Sequence, residues 1–270
     1  MRQDPLAGNK ALWEEWTAIN YESDFYRVED FKDPNDNRLR DYEIAHVGDV
    51  KDKHLLHLQC HFGLDTLSWA RLGARVTGVD FSAESITRAR SLARDVGLDA
   101  TFVESNVYDL PQNLDGTFDI VYTSRGVLGW LPDLDRWAAV ISHFLRPGGI
   151  FYIAEEHPFA WPFENEDTTD LKVSHPYFAR KDPVPWPTRG SYADESAHVE
   201  QPFEYVWPHP ISEIINSLIR NGLRIDFMEE YPFLEWPASF LVEDDDGRFV
   251  LRPEQKGEIP LLFALRAAKE

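Results

Sequence analysis

Apolar and polar positions along residues 54–156 follow two alternating periods. Short apolar runs, HLLHLQC, ARVTGVDF, ATFVES, FDIVYTS and GIFYIAE, read as strands, and the apolar residues between them recur at helical spacing. Ile86, Ala89, Leu92, Ala93 and Val96 make one stripe. Leu134, Trp137, Ala138, Ile141, Phe144 and Leu145 make another, which LRPGG closes with proline and glycine. Strand and helix repeated in this way predict a parallel sheet with crossover helices, the doubly wound α/β class. Farther on, Ile211, Ile214, Ile215, Leu218 and Ile219 mark a helix stopped by NG. The runs LRIDFMEEY and IPLLFALRA then follow without a helix between them, which predicts an antiparallel hairpin at one edge of a mostly parallel seven-stranded sheet.

The flanks obey other rules. Leu12, Trp16 and Ile19 predict an amphipathic helix within residues 10–26, before KDPNDNR breaks the pattern. Residues 157–210 carry HPFAWPF, SHPYF, DPVPWPTRG and YVWPHP; proline at that density excludes a long helix, and the aromatics exclude a disordered tail. An ordered Pro/aromatic-rich cap, inserted before the last helix, is the expectation. No internal repeat or low-complexity segment interrupts the chain.

Composition narrows the function. The chain of 270 residues has 43% apolar residues, enough for a buried core, and no apolar run long enough to span a bilayer. Its N-terminus, MRQDPLAGNK, lacks the apolar stretch of a signal peptide, so a cytoplasmic protein that does not engage the membrane is expected. Cys60 is the only cysteine, which excludes an internal disulfide and a cysteine-based zinc cluster. A formal net charge of −20, with no segregated basic patch, disfavours nucleic acid and leaves small molecules as the expected partners.

The candidate chemistry begins where the first predicted strand ends. In HLQCHFG a turn of nucleotide-binding type keeps one glycine, Gly63, while Gln59 and His61 bring bulk and polarity. A pyrophosphate cradle is therefore not expected. Asp80 ends the second strand, 17 positions after Gly63, where an acid can accept hydrogen bonds from both hydroxyls of a ribose. Together they point to a nucleoside ligand without a pyrophosphate.

At this point the pattern resembles the class I S-adenosylmethionine-dependent methyltransferases, closely over residues 50–157 and more loosely at the terminal helix and hairpin. His57 stands where that family has its first acid, and only the last glycine of its Gly-x-Gly-x-Gly remains. GVDFSAESI resembles the ribose-binding step and SNVYDLP the adenine-binding step, with Asn106 in place of the common Asp. FDIVYTSRGVLGWLPDLDRW and FLRPGG resemble the fourth strand, its loop and the approach to strand five. The resemblance implies S-adenosyl-L-methionine as cofactor and S-adenosyl-L-homocysteine as product. It implies cofactor contacts from Gln59, Cys60, His61 and Gly63 in the turn, Asp80 and Ser82 at the ribose, Phe81, Asn106 and Val107 at the adenine, and Thr123 and Ser124 at the methionine end. Asp65 is expected to pair with the cofactor's amino group in place of the acid missing at position 57. The implied organisation is an N-terminal helical lid (1–45), a Rossmann-like cofactor core (46–156), the cap (157–210), and a helix and edge hairpin that complete the same sheet (211–270).

Catalytic candidates are fewer. His157, just after strand five in AEEHP, is a possible base for a hydroxyl. Tyr21 and Tyr26 in the N-terminal segment, and His175 and His209 around the cap, are further ones. Arg125 either recognises a substrate carboxylate or pairs with an acid. Cys60 reads as an inert strand-end residue, and Trp130 as packing. The histidines 157, 175, 198 and 209 match no metal-site spacing, so no metal is expected. Methyl transfer to an O, N or S atom of a small aromatic or apolar acceptor is the leading function. A nicotinamide-dependent oxidoreductase would also use a strand, turn and ribose acid, but it needs the lost glycines. A non-catalytic protein retaining the fold is the other alternative. No Gly-x-Ser-x-Gly elbow suggests a hydrolase.

Overall fold

The computed structural model describes residues 4–163, 169–178, 181–255 and 257–270. Its main sheet has seven strands: β1 (His54–Leu58), β2 (Arg75–Asp80), β3 (Ala100–Glu104), β4 (Phe118–Thr123), β5 (Leu145–Glu156), β6 (Leu223–Tyr231) and β7 (Leu262–Lys269). Their order is β3-β2-β1-β4-β5-β7-β6. The first five run parallel, and β7 lies antiparallel to both β5 and β6. The predicted fold class is the one observed.

The central strands read as apolar runs because helices cover both faces. Leu55, Leu56 and Leu58 of β1 and Ile120, Val121 and Tyr122 of β4 are essentially without exposure. The covering helices are α1 (Pro5–Glu22), α2 (Asp41–Val47), α3 (Leu64–Arg71), α4 (Ala83–Asp95), a single turn α5 (Leu110–Asn113), α6 (Leu134–Phe144) and α7 (Ile211–Arg220). The stripes of α4 and α6 are buried as their spacing predicts.

Three elements depart from the sequence expectation in detail. Helix α1 starts at Pro5 rather than residue 10, because Asp4 caps it by accepting the Leu6 N–H and proline occupies its first turn. LRPGG does not separate α6 from the next strand; it belongs to β5, whose Leu145 pairs with Phe118 before the register shifts. A Cβ at Gly149 would meet the Asp119 carbonyl oxygen at 3.0 Å, so the shift requires glycine. The terminal strands pair, but not as a tight hairpin. Residues 232–261 leave the sheet between them and form a ribbon of Leu241–Glu243 with Phe249–Leu251. Leu234, Phe240 and Leu261 anchor this excursion on Ala160 and Leu262.

Within 157–210, Val184–Pro187 pairs with Phe203–Val206. Asn9 of α1 ties this ribbon to the N-terminal helix, donating to the Tyr205 carbonyl at 2.8 Å and accepting the Tyr205 N–H at 2.9 Å. Trp16 donates to the Gly190 carbonyl at 2.8 Å, and the Trp207 N–H reaches the Gly129 carbonyl. Segments far apart in the chain thus meet above the carboxyl ends of β1 and β4. Strand order reverses between those two strands, and an α/β sheet opens its crevice there.

Candidate active site

The turn after β1 keeps the shape of a glycine turn without the glycines. Gln59, His61 and Gly63 have φ of 59°, 51° and 83°, all in the left-handed region that side chains rarely enter. Local bonds hold the two unusual residues there. The Gln59 amide donates to the Val127 carbonyl at 3.2 Å, and the His61 N–H donates to Asp80 Oδ2 at 2.8 Å. Gly63 has no such latitude, since a Cβ would meet the Phe102 ring at 2.8 Å. Backbone conformation, not composition, is what this turn retains.

Asp80 closes the other side of the turn. Its second oxygen accepts the Ser82 N–H at 2.9 Å, and burial pushes its carboxyl up to about 6 against these N–H donors. Ser82 caps α4 by accepting the Ser85 N–H. Glu14 of α1 adds a second cap from outside, accepting the Ser82 hydroxyl and the Ala83 and Glu84 N–H groups at 2.8–3.0 Å. The N-terminal helix is thereby fastened beside Asp80. On the adenine-type side, Asn106 accepts the Tyr108 N–H at 3.0 Å and so shapes its own turn.

Beyond β4 the construction is ionic. Arg125 is largely buried and donates to Glu43 at 3.0 Å, Glu235 at 2.9 Å and Asp65 at 3.3 Å. Arg40 reaches the same Glu235 oxygen at 3.0 Å, and the Tyr122 hydroxyl donates to Glu43 at 2.7 Å. Burial raises the Glu43 and Asp65 carboxyls above their ordinary range, and Arg125 opposes that rise. His57, in the place of the family's acid, is instead buried and neutral. Its ring nitrogens meet Thr66 at 2.8 Å and Ser124 at 3.0 Å, and burial lowers its pKa to about 3. Beside them, the buried Glu155 accepts four N–H groups, those of Gly126, Val127, Leu128 and Glu156, at 2.6–3.1 Å. This carboxylate fixes the loop after β4.

Between the two ends lies a cavity of about 730 Å³. Of the residues singled out from sequence, Gln59, Cys60, His61, Gly63, Asp65, Asp80, Phe81, Asn106, Val107, Ser124, Arg125 and Tyr26 line it. Ser82 and Thr123 are fully buried behind its wall. Tyr21 packs its ring on Phe62 and Arg88. His157 turns to the sheet edge, its Nε2 3.1 Å from Glu230 Oε1. His175 lies against the rings of Trp161 and Trp186, and His209 bonds the Leu131 carbonyl at 2.7 Å. Among the described residues, no three His, Cys, Asp or Glu side chains form a group able to hold a metal ion, and no helix is long and apolar enough to cross a membrane. Burial raises the Cys60 thiol well above its ordinary range, so it is held as the neutral thiol.

Sequence reasoning missed Glu14, Glu43, Glu155 and Glu235, each an acid whose local spacing carries no motif. An aromatic covering was expected from the sequence, but not which rings form it. Trp13 stands edge-on to His61 and Trp130, with ring centroids 5.2 and 5.4 Å away, and Tyr192 meets Trp16 and Phe25 at 5.4 and 5.9 Å. The Tyr26 and Tyr192 hydroxyls are 2.5 Å apart. The density of tryptophan in the covering segments was the one available signal.

Residues 56–153 match the family model of a methyltransferase domain. The chain is 31% identical over 128 residues to a ubiquinone biosynthesis O-methyltransferase of Serratia proteamaculans, a match covering 46% of this chain and 53% of that protein. It is 30% identical over 130 residues to an uncharacterised methyltransferase of Synechocystis sp., covering 47% and 59%. The chain thus spans about half the length of the curated relatives it matches. Its fold is similar to that of an S-adenosylmethionine-dependent methyltransferase of Methanosarcina mazei, with TM-score 0.57, 19% identity and coverage of 86% and 98%. It is also similar to geranyl diphosphate C-methyltransferase of Streptomyces coelicolor A3(2), solved with S-adenosyl-L-homocysteine, with TM-score 0.54, 16% identity and coverage of 85% and 77%.

Proposed function

Because the core of this chain belongs to the class I S-adenosylmethionine-dependent methyltransferase superfamily, we propose that the crevice binds S-adenosyl-L-methionine and that the protein transfers its methyl group to a small molecule with an aromatic or apolar body. The observation that carries this reading is Asp80. Its buried carboxylate ends β2 beside a left-handed turn, at the mouth of a cavity of about 730 Å³, a size that suits a nucleoside cofactor with a modest acceptor. When bound, the cofactor supplies an electrophilic methyl carbon on a sulfonium.

The chain's own residues bind and orient. Asp80 accepts the ribose hydroxyls, while Phe81, Asn106 and the Val107 amide meet the adenine. Gln59, Cys60, Gly63 and Ser124 follow the methionine chain, with Asp65 toward its ammonium. Thr123 and Ser82 support this wall from behind. The aromatic wall from α1, the β4 loop and the 157–210 insertion keeps water from the acceptor. Alignment of two bound reactants is worth up to about 7–11 kcal/mol, which suits a site with few free acids or bases. The O-methyltransferase relatives favour an oxygen acceptor.

Isothermal titration with S-adenosyl-L-methionine tests the reading. Saturable one-to-one binding, lost in Asp80→Ala, is expected. A folded wild-type protein that binds no cofactor would return the chain to the non-catalytic alternative.

A further inference from the structure

One turn of the 157–210 insertion, residues 190–195, carries two side chains to the cavity, Tyr192 and Glu195. Ser191 and Asp194 close it with paired backbone bonds of 3.0 and 2.9 Å. Buried polar groups then fasten it to α1. The Ser191 hydroxyl donates to the Asn20 side-chain oxygen, the Asn20 amide donates to the Tyr192 hydroxyl at 2.9 Å, and Trp16 holds the Gly190 carbonyl. Asn20 and Ser191 are at most 1% exposed, whereas Tyr192 is 45% exposed, as is Phe25 beside it. The turn thus fixes open aromatic rings at the rim of the crevice. Tyr26 lies within electrostatic reach of Asp65 and Arg125, and Tyr192 within reach of Asp80, so the rings stand across the middle of the crevice, between its two ends.

The surrounding charges select what this rim receives. Every arginine that lines the cavity already faces a carboxylate: Arg27 has Asp30, Arg38 has Asp36, Arg40 has Glu235, and Arg125 has Asp65 and Glu235. Among the described residues no lysine lines it. Glu195, by contrast, is exposed and has no hydrogen bond or ion pair with any described residue. The charge left over is therefore negative, and it sits on the same turn as the open ring of Tyr192. Aromatic faces attract organic cations through their quadrupole, and the net charge of −20 draws cations toward the protein as a whole.

Building on the methyltransferase reading, we infer that the methyl acceptor carries an ammonium group, which lies against the rings of Tyr192 and Phe25 and pairs with Glu195. Its aromatic or apolar body then reaches inward past Trp13 and Trp130 and presents the atom that is methylated. A neutral acceptor would leave Glu195 without a counter-ion. An anionic one would be repelled by Glu195 and would meet only guanidinium groups already engaged by carboxylates.

The test uses three probes that share a phenol and differ at the other end: tyramine carries an ammonium, para-ethylphenol is neutral, and para-hydroxyphenylpropionate carries a carboxylate. Their binding is measured by titration calorimetry on the protein with and without S-adenosyl-L-homocysteine. Tyramine should bind about tenfold more tightly than para-ethylphenol, the combined weight of a partly exposed cation–π contact and an exposed ion pair, and the carboxylate should bind most weakly. Added salt should narrow the margin. Glu195→Gln should weaken tyramine by about threefold and leave para-ethylphenol unchanged, and Glu195→Lys should reverse the order of tyramine and the carboxylate. Tyr192→Phe keeps the ring face and should keep the margin, whereas Tyr192→Leu should lower it. Because Glu195 is exposed, its variants should retain the melting temperature and the affinity for S-adenosyl-L-homocysteine. Equal affinity for the three probes, binding of none of them, or an unchanged margin in Glu195→Gln would overturn the inference, and S-adenosyl-L-homocysteine binding in the same samples would leave the methyltransferase reading in place. A protein that ranks the probes as expected but binds no S-adenosyl-L-homocysteine would instead remove that reading and leave the ammonium site.

Discussion

The two ends of the crevice are built in opposite ways. At the β2 end, Asp80, Ser82 and His61 lie within 22 residues of one another, and their bonds run from side chain to nearby backbone. At the β4 end, Glu43, Asp65, Arg125, Glu155 and Glu235 come from five separate stretches and meet only in three dimensions. The first end is a backbone shape with one acid. The second is a buried charge assembly whose members have no local reason to exist. It follows that the β2 end tolerates unusual residues, as Gln59 and His61 demonstrate, whereas the β4 end should not tolerate the loss of any one partner.

Breaking the charge assembly should have the largest effect. Arg125→Met strands buried carboxylates and is expected to cost about 3–5 kcal/mol in urea unfolding. Burial already holds the Glu43 and Asp65 carboxyls high, and without Arg125 they rise further. A carboxyl with a raised folded-state pKa binds its proton more tightly when folded, so its protonation stabilises the fold as pH falls. The deficit should therefore be greatest above neutrality and shrink toward acid. A deficit independent of pH would mean that the guanidinium contributes packing alone.

Glu155→Ala comes next. It leaves buried N–H groups of the β4 loop without an acceptor, and an expected loss of about 3 kcal/mol should appear with faster amide exchange at Val127 and Leu128. Unchanged exchange would show that the loop is held by other contacts.

The β2 end should respond more gently and through ligand affinity. Since the Asp80 carboxyl sits at about 6, its protonation favours folding as pH falls below that value, but removes the ionised acceptor that a ribose wants. Cofactor affinity measured calorimetrically should hold from pH 8 to 7 and then fall, by no more than about tenfold per pH unit, below about 6. Asp80→Asn should abolish that dependence.

Smallest of all should be Glu14→Ala. It removes one of two caps on α4, and about 1 kcal/mol is expected, with Ser82 still in place. The sharper readout is cofactor dissociation, which should quicken as α1 loosens from α4.

How much of this was legible before folding differs between the same two ends. Gly63 and Asp80 were found because a strand, a turn and a ribose acid are fixed by spacing along one βα unit. Arg125 was noticed as unusual, but its partners were not, since ion pairs between α2, α3, the β4 loop and residues 232–261 leave no periodicity. His157 looked well placed by its position after β5; the antiparallel pairing of β7 beside β5 turns it instead toward Glu230.

The sequence by itself determined the alternation of strands and helices, the fold class and the crevice at the reversal of strand order, because hydrophobic periodicity and short-range backbone preference act over a few residues. Only the tertiary structure decided that a turn without its glycines keeps a glycine turn's shape, and that Glu14, Glu155 and Glu235 reach the crevice. It likewise decided that His61, not His157, lines the cavity. Those outcomes depend on hydrogen bonds and charge pairs between segments whose approach is set by how the whole core packs, and such bonds write no pattern along the chain.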